Sequence, residues 1–317
     1  MNTKLSVILP VHNAMPYLPE AVESILRQSY TGFTFIIVND GSGDGSETYL
    51  RSLRDNRIVL IEQQNQGPGA ARSRALGLCR SEYVALMDAD DISLPHRLRS
   101  EVEYLDAHPE VVILGTQIEF LIGRAVQPAL RAPAGHAEIE ARFMNGQAGL
   151  CNPSVMFRSA AAAACASYPS HLLGEDIDFC LNMCDQGRAA NINQVLLQYR
   201  LHVNQTSISR CREMVYSGAF AAHRAVCRRK GLAPPELDAF LRSASFVDRL
   251  RWSLEAWTQI QYRTGRIQLA CGKPVRGFLR LAMLGISRPF ATSRRLVQAF
   301  AAFYSHAFAH PSQIDNG

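Results

Sequence analysis

Three short apolar runs, each stopping at a cluster of polar residues, constrain this chain more than any other feature. Leu5-Ser6-Val7-Ile8-Leu9 stops at Pro10 and gives way to Val11-His12-Asn13. Phe33 to Val38 stops at Asn39-Asp40-Gly41-Ser42. Tyr83 to Met87 stops at Asp88-Ala89-Asp90-Asp91. Apolar runs of this length, bounded by turn formers, read as buried strands. Ile58 to Ile61 reads as a further strand. Helical segments lie between them. Tyr17, Leu18, Ala21, Val22, Ile25 and Leu26 recur at helical spacing, Ser46 can cap a second helix, and Ala70 to Cys79 and Pro95 to Ala107 supply two more. This alternation predicts an α/β fold with a mainly parallel, doubly wound sheet. Ligands of such sheets sit beyond the carboxyl ends of the strands. The three polar strand ends converge on that edge. A buried core has no use for carboxylates there, so the convergence is the first functional signal.

The middle of the chain is less regular. Val111 to Thr116, Gln117 to Phe120, Asn152 to Arg158 and Gln194 to Arg200 read as strands, Gly123 to Gly135 as loop, and Glu175 to Gln186 as a helix. From about Arg210 the texture becomes helical, rich in Ala, Leu and Arg. A boundary near Ser209 divides an α/β domain, residues 1–209, from a helical C-terminal region, residues 210–317. The net charge of +5 is a small excess and gives no reason to expect a nucleic-acid partner. The eight cysteines contain no CxxC pair, which fits reduced structural thiols. No secretory leader and no run of about eighteen apolar residues is visible. The expectation is a cytoplasmic protein whose membrane contact, if any, is peripheral, at the inner face.

Asp88 and Asp90, one residue apart at a strand end, offer hard oxygen ligands to a divalent cation such as Mg²⁺ or Mn²⁺. A plainer role is also open, since Asp91 or Ser93 can cap the helix that follows. Asp40 can accept hydrogen bonds from a base or a ribose, or make an ordinary Asx-turn. Asn65 to Arg72 is a Gly-rich loop entering a helix. It lacks the spacing of the usual phosphate-binding loops. Arg72 lies where it can reach a nucleotide, or it can simply be solvated. Glu175 and Asp176 open a helix, where acids are favoured by the dipole. Asp176 is also placed to act as a general base toward a hydroxyl. Arg200 and His202, after the last strand, can meet diphosphate oxygens.

These pieces occur together and in order. The chain resembles the inverting glycosyltransferases of family two. The text that carries the resemblance is Val7-Ile8-Leu9-Pro10-Val11-His12-Asn13, Ser24-Ile25-Leu26-Arg27-Gln28-Ser29-Tyr30, Ile36-Ile37-Val38-Asn39-Asp40-Gly41-Ser42, Asn65-Gln66-Gly67, Ala71-Arg72, Asp88-Ala89-Asp90-Asp91, Gly174-Glu175-Asp176 and Tyr199-Arg200-Leu201-His202. It spans about Lys4 to Ser209. The resemblance implies a GT-A fold, Rossmann-like, with a helical appendage. It implies transfer of a sugar from a nucleoside-diphospho-sugar, a UDP-sugar first, to a saccharide, lipid-linked saccharide or surface polysaccharide. It places Pro10, Val11, His12, Asn13, Asp40, Gly67, Arg72, Asp88, Ala89, Glu175 and Arg200 around the donor. It places Asp88, Asp90 and His202 at the metal, and Asp176 as the base. Two positions depart from the family's pattern. Ser73 stands where Asn is common, and His12 where Tyr or Phe is common. Both put the identity of base and sugar in doubt. The rival readings are a sugar-nucleotide binder without catalysis and a sugar-phosphate nucleotidyltransferase. The latter would carry a Gly-rich basic signature where His12-Asn13-Ala14-Met15-Pro16 stands.

The tail from Trp257 onward holds eight Lys or Arg residues and one acid, Asp315. Phe278, Leu279, Leu281, Ala282, Leu284 and Ile286, and then Leu296, Val297, Phe300, Phe303 and Tyr304, recur at helical spacing beside arginines. Basic amphipathic helices of this kind rest on anionic membranes. Packing against the catalytic domain or another subunit is the alternative.

Overall fold

The computed structural model describes residues 3–165 and 174–287. The tail segment from Leu296 to Tyr304 lies outside the described residues. In chain order the elements are β1 (Leu5–Val11), α1 (Leu18–Leu26), β2 (Phe33–Asp40), α2 (Ser46–Ser52), β3 (Ile58–Gln63), α3 (Pro68–Leu76), β4 (Tyr83–Leu86), β5 (Ile92–Ser93), α4 (Arg97–Ala107), β6 (Val111–Ile122) and β7 (Ala125–Pro128). There follow α5 (His136–Met144), a 3-10 turn (Asn152–Ser154), β8 (Met156–Arg158), α6 (Ser159–Ala163), α7 (Glu175–Cys184), β9 (Arg188–Arg200), α8 (Thr206–Ser209), α9 (Cys211–Arg229), α10 (Leu237–Ser243), α11 (Phe246–Ala270) and α12 (Pro274–Ser287). The chain divides into two compact units. The first is Met1–Ile118, Arg131–Tyr199 and Glu213–Ala244; the second is Glu119–Leu130, Arg200–Arg212 and Ser245–Gly317.

In the first unit the strands run in the order β3-β2-β1-β4-β8-β6-β9-β5. The expected doubly wound parallel arrangement holds for β3, β2, β1 and β4. Beyond β4 the sheet turns antiparallel, through β8 to β6 and from β9 to β5. The sheet is therefore mixed, with its parallel half built from the first 86 residues. Alternate residues of these strands feed two cores. Ile8, Ile36, Val38, Val84 and Leu86 pack with Ala71 and Ala75 of α3 and with Ile177 and Leu181 of α7. Val7, Leu9, Phe35, Ile37 and Ala85 pack with Ala21, Val22 and Ile25 of α1 and with Leu98, Val102 and Leu105 of α4. Burial on both faces explains why the strands read as unbroken apolar runs.

Two strand expectations change. The stretch expected as two strands from Val111 to Phe120 is one, β6. Thr116 and Gln117 break its apolar pattern but are buried, and the Gln117 amide pairs with the Ala132 backbone at 2.8 and 3.1 Å. Within Gly123 to Gly135, expected as loop, β7 pairs with the end of β6. Gly123, at φ +60°, begins the two-residue connection between them, a position where glycine is favoured.

The second unit holds the β6–β7 hairpin, α8, α11 and α12. Arg266 of α11, 1% exposed, donates to Gln127 Oε1 and the Pro128 carbonyl of that hairpin and to the Tyr262 hydroxyl, and lies 4.8 Å from the Phe120 ring centre. A buried guanidinium satisfied in this way ties the hairpin to the helix. Ser245 and Asp248 form a capping box at the start of α11. α11 and α12 cross closely where two glycines face each other. A Cβ on Gly277 would come within 2.8 Å of the Gly265 carbonyl oxygen. No described helix is long and apolar enough to cross a membrane.

Candidate active site

The loops after β1, β2 and β3 are laced together by short-range polar contacts. Asp40, the last residue of β2 and 2% exposed, accepts at Oδ1 from Gln63 Nε2 (2.7 Å) and the Gln66 amide (2.9 Å), and at Oδ2 from the Gly67 amide (2.8 Å). It thus does more than turn its own loop: its carboxylate gathers the chain that leads into α3. Gly41 sits at φ +71°, and a Cβ there would lie 2.9 Å from the Asn65 nitrogen, so glycine is what lets the two loops approach. Gly67, at φ +87°, begins the entry to α3, and Pro68 follows in its first turn. His12 is exposed; its Nδ1 lies 2.8 Å from the Asp40 carbonyl oxygen, and its ring borders Asn65. Asn13, at φ +49°, accepts from the Gly43 amide at 2.8 Å and donates its own amide to Ser42 Oγ at 3.1 Å. Pro10 and Val11 close β1 beside Val38 and Asn39. These residues form one rim at the carboxyl edge of the parallel strands.

The acidic centre lies beyond β4. Arg72, from α3 and 6% exposed, donates from Nη2 to Asp88 Oδ1 at 2.8 Å and from Nη1 to Glu175 Oε1 at 2.5 Å. Arg72 is therefore not a solvated arginine: it joins the turn after β4 to the start of α7. Asp88, Ala89 and Asp90 are half-buried at the turn after β4, and Asp91 is buried. Desolvation raises the Asp88 carboxyl above the usual carboxylate range. The Arg72 guanidinium opposes this, and the Asp90 and Glu175 charges add to it.

Asp176 follows Glu175 in the first turn of α7, and its Oδ1 accepts from the Ile177 amide at 2.9 Å. Gly174 precedes the helix at φ +101°. Desolvation pushes the Asp176 carboxyl up to about 6; the Glu175 charge adds to this, and Arg72 and the Ile177 amide oppose it. The helix terminus alone would stabilise the charged form. The shift runs the other way, so burial decides it, with the neighbouring carboxylate charges adding to it. This is the pattern of a group poised to take a proton.

Three residues of this region were absent from the sequence reading. Gln63 holds Asp40. Arg97, fully buried, donates to the Leu86 carbonyl at 2.8 Å and so fixes the strand end two residues before Asp88. Cys151 is half-buried, and desolvation holds its thiol pKa well above the ordinary value, with the Asp91, Asp88 and Asp176 charges adding to this. None carries a local motif: Arg97 reads as a helix-surface residue, and Cys151 as one scattered thiol among eight. Two expected site residues, Arg200 and His202, belong to the second unit. There Arg200 is buried, and the His202 amide donates to Gln205 Oε1 at 2.8 Å, ahead of α8.

Among the described residues no group of three or more His, Cys, Asp or Glu side chains is suited to hold a metal ion. Asp88 and Asp90 alone would supply two carboxylates. That number suits a Mg²⁺-type ion, which takes one or two protein carboxylates and completes its shell with phosphate oxygens and water. The donor set therefore fits a metal shared with a diphosphate.

Known proteins agree with this architecture. The model of glycosyl transferase family 2 matches residues 6–165. The chain is 30% identical over 265 residues to EpsE of Bacillus subtilis, named as a glycosyltransferase, covering 76% of this chain and 91% of that protein. It is 29% identical over 203 residues to the amylovoran biosynthesis glycosyltransferase AmsE of Erwinia amylovora, covering 62% of this chain and 75% of the relative. Among solved structures, the mannosyltransferase PcManGT of Pyrobaculum calidifontis in complex with GDP-Man and Mn²⁺ superposes with a TM-score of 0.58 at 19% identity, over 98% of this chain and 88% of that one. S. aureus TarS 1-349 in complex with UDP-GlcNAc superposes with a TM-score of 0.54 at 16% identity, over 93% and 92%. The chain belongs to glycosyl transferase family 2 and has the GT-A fold.

Proposed function

We propose that the protein transfers a sugar from a nucleoside-diphospho-sugar to a hydroxyl of a saccharide acceptor, by single displacement with inversion. The observation that carries this reading is the carboxylate centre joined by Arg72, where Asp88, Glu175 and Asp176 meet beside the rim formed by the loops after β1, β2 and β3. The rim holds the nucleoside, with Pro10, Val11, His12, Asn13, Asp40 and Gly67 around the base and ribose. Asp88 and Asp90 face the diphosphate. Asp176 takes the proton of the attacking hydroxyl as its oxygen bonds to the anomeric carbon. The bond from that carbon to the diphosphate oxygen breaks, and the nucleoside diphosphate leaves. A carboxylate with a pKa near 6 is still ionised at neutral pH and is a stronger base than an ordinary aspartate. A Mg²⁺ or Mn²⁺ ion held by Asp88 and Asp90 would neutralise the charge of the leaving group. The diphosphate and metal roles that the family resemblance implies for Arg200 and His202 are not used in this reading, since both residues belong to the second unit.

The donor is read as a UDP-sugar first, supported by the neighbour bound to UDP-GlcNAc; the neighbour bound to GDP-Man makes guanine donors the control. The relative named for amylovoran biosynthesis supports a surface polysaccharide or its lipid-linked precursor as acceptor. The test is donor hydrolysis by purified protein across a panel of UDP-, GDP- and dTDP-sugars, with Mn²⁺, Mg²⁺ or EDTA. Release of nucleoside diphosphate from one class, absent in the Asp90→Ala and Asp176→Asn variants, is the expected result. Turnover of no donor in the panel, or wild-type turnover by Asp176→Asn, overturns the reading.

A further inference from the structure

We propose that the α11–α12 hairpin of the second unit is a docking surface for an anionic lipid bilayer. On this proposal, Arg276 and Arg280 take lipid phosphates, and Val275, Phe278, Leu279 and Met283 enter the acyl boundary. The surface lies wholly within the second unit, and the proposal stands whatever the donor or acceptor.

Three observations carry it. The first is an apolar face on α12. Val275, Phe278, Leu279 and Met283 recur at i, i+3, i+4 and i+8, and are 71, 47, 58 and 41% exposed. Gly277 and Leu281, on the other side of the helix, are buried against Gly265 of α11. The α11 contact therefore does not cover this face. Scattered exposed apolar side chains need no explanation, but four along one helical stripe do.

The second is charge. Lys273, Arg276 and Arg280 run along the edge of that stripe, and no acidic residue occurs from 271 to 287. An apolar stripe edged by cations matches the layering of an anionic membrane surface, phosphate outside and hydrocarbon beneath.

The third is a groove of about 520 Å³ lined by Gln261, Gln268, Arg276, Leu279, Arg280 and Met283. Arg280 is held in its wall by a 2.6 Å hydrogen bond to Gln261 Oε1. Gln268 Oε1 is buried there without a hydrogen-bond donor. Two guanidiniums suit a phosphate, the Gln268 oxygen suits a headgroup hydroxyl, and Leu279 and Met283 suit the first methylenes of a chain. An acidic protein partner would use the cations but leave the exposed apolar stripe unexplained.

The test is co-sedimentation of the full chain with phosphatidylcholine vesicles, with and without phosphatidylglycerol. The chain is expected to pellet with the anionic vesicles only, and less as salt is raised. Arg276→Gln/Arg280→Gln lowers partitioning roughly 30-fold, the loss of two surface charges. Arg276→Lys/Arg280→Lys keeps most of it, since charge is retained. Phe278→Ser/Leu279→Ser lowers it even at low salt. A wild-type chain that stays in the supernatant with anionic vesicles overturns the proposal. So does equal recovery with neutral vesicles, a glutamine variant that pellets like wild type, or a lysine variant that loses as much as the glutamine one.

Discussion

The Arg72 guanidinium and the Glu175 carboxylate, 103 positions apart in the chain, meet at 2.5 Å, and the other guanidinium nitrogen holds Asp88. Removing the cation leaves two carboxylates facing each other with no positive charge between them. Arg72→Met is therefore expected to cost several kcal/mol of stability, about 3–5 for a fully buried pair and less here because Asp88 is half-buried. Donor turnover falls with it. Arg72→Lys recovers only part of both, because one ammonium lacks the fork that spans two partners. Thermal melts and donor-hydrolysis rates on the two variants check this.

Asp176→Asn is expected to lower kcat about 10²–10⁴-fold, the usual worth of a general base. The same change is expected to stabilise the fold at neutral pH. The folded carboxyl titrates near 6, above its ordinary value. Ionising it therefore costs stability, beginning above the unfolded pKa near 4 and complete above about 6. The variant should melt above the wild type at pH 7.5, and the gap should close near pH 4. A gap that persists unchanged at pH 4 would exclude the ionised carboxylate as its source.

The acid limb of kcat/KM for transfer should fall near pH 6 rather than near pH 4, because that limb reports the free enzyme's base. Glu175 raises the Asp176 pKa through its charge, so Glu175→Gln should move the limb to lower pH. A limb that stays in place, or moves up, counts against Asp176 as the titrating group.

Asp40→Asn removes a charge that accepts three hydrogen bonds from Gln63, Gln66 and Gly67. Bonds to charged acceptors are worth about 1.5–3 kcal/mol each, and the amide can keep only part of them. The expected outcome is a roughly tenfold or larger rise in the dissociation constant for nucleoside diphosphate, with kcat less affected. Isothermal titration with UDP measures the first, and saturation kinetics the second.

EDTA is expected to abolish donor turnover, with Mn²⁺ or Mg²⁺ restoring it, since on the proposed reading Asp88 and Asp90 would hold an ion only together with the diphosphate. Without donor, tight metal binding is not expected, and titration with Mn²⁺ alone should show weak affinity.

The parallel half of the fold was legible because its strands are buried on both faces, so β1, β2 and β4 stand out as apolar runs that stop at their polar ends. The acids at those ends could be picked out for the same reason. Their partners could not. Asp40 meets Gln63 through strand pairing, and Arg72 meets Glu175 only once α3 and α7 lie on the same face of the sheet. The antiparallel half was harder. β8 has three residues and follows a 3-10 turn, so the strand expected from Asn152 shrinks to Met156–Arg158. β7 was hidden because its Gly123 turn lies in a stretch whose Pro and Ala content suggests loop.

The compact units are interleaved along the chain, and this limits how the protein can be cut. The segment Glu213–Ala244 returns to the first unit after Arg200–Arg212 has joined the second. In that returning segment, Arg228 and Arg229 bind Asp185, Arg229 also binds Glu140, and Gly218 lies so close to Gly146 that a Cβ would meet its carbonyl oxygen at 2.6 Å. A truncation at Ser209 would therefore take a packed wall from the catalytic half rather than trim an appendage. No single cleavage or stop codon yields either half whole. Separating catalysis from any surface function of the helical hairpin calls for point substitutions.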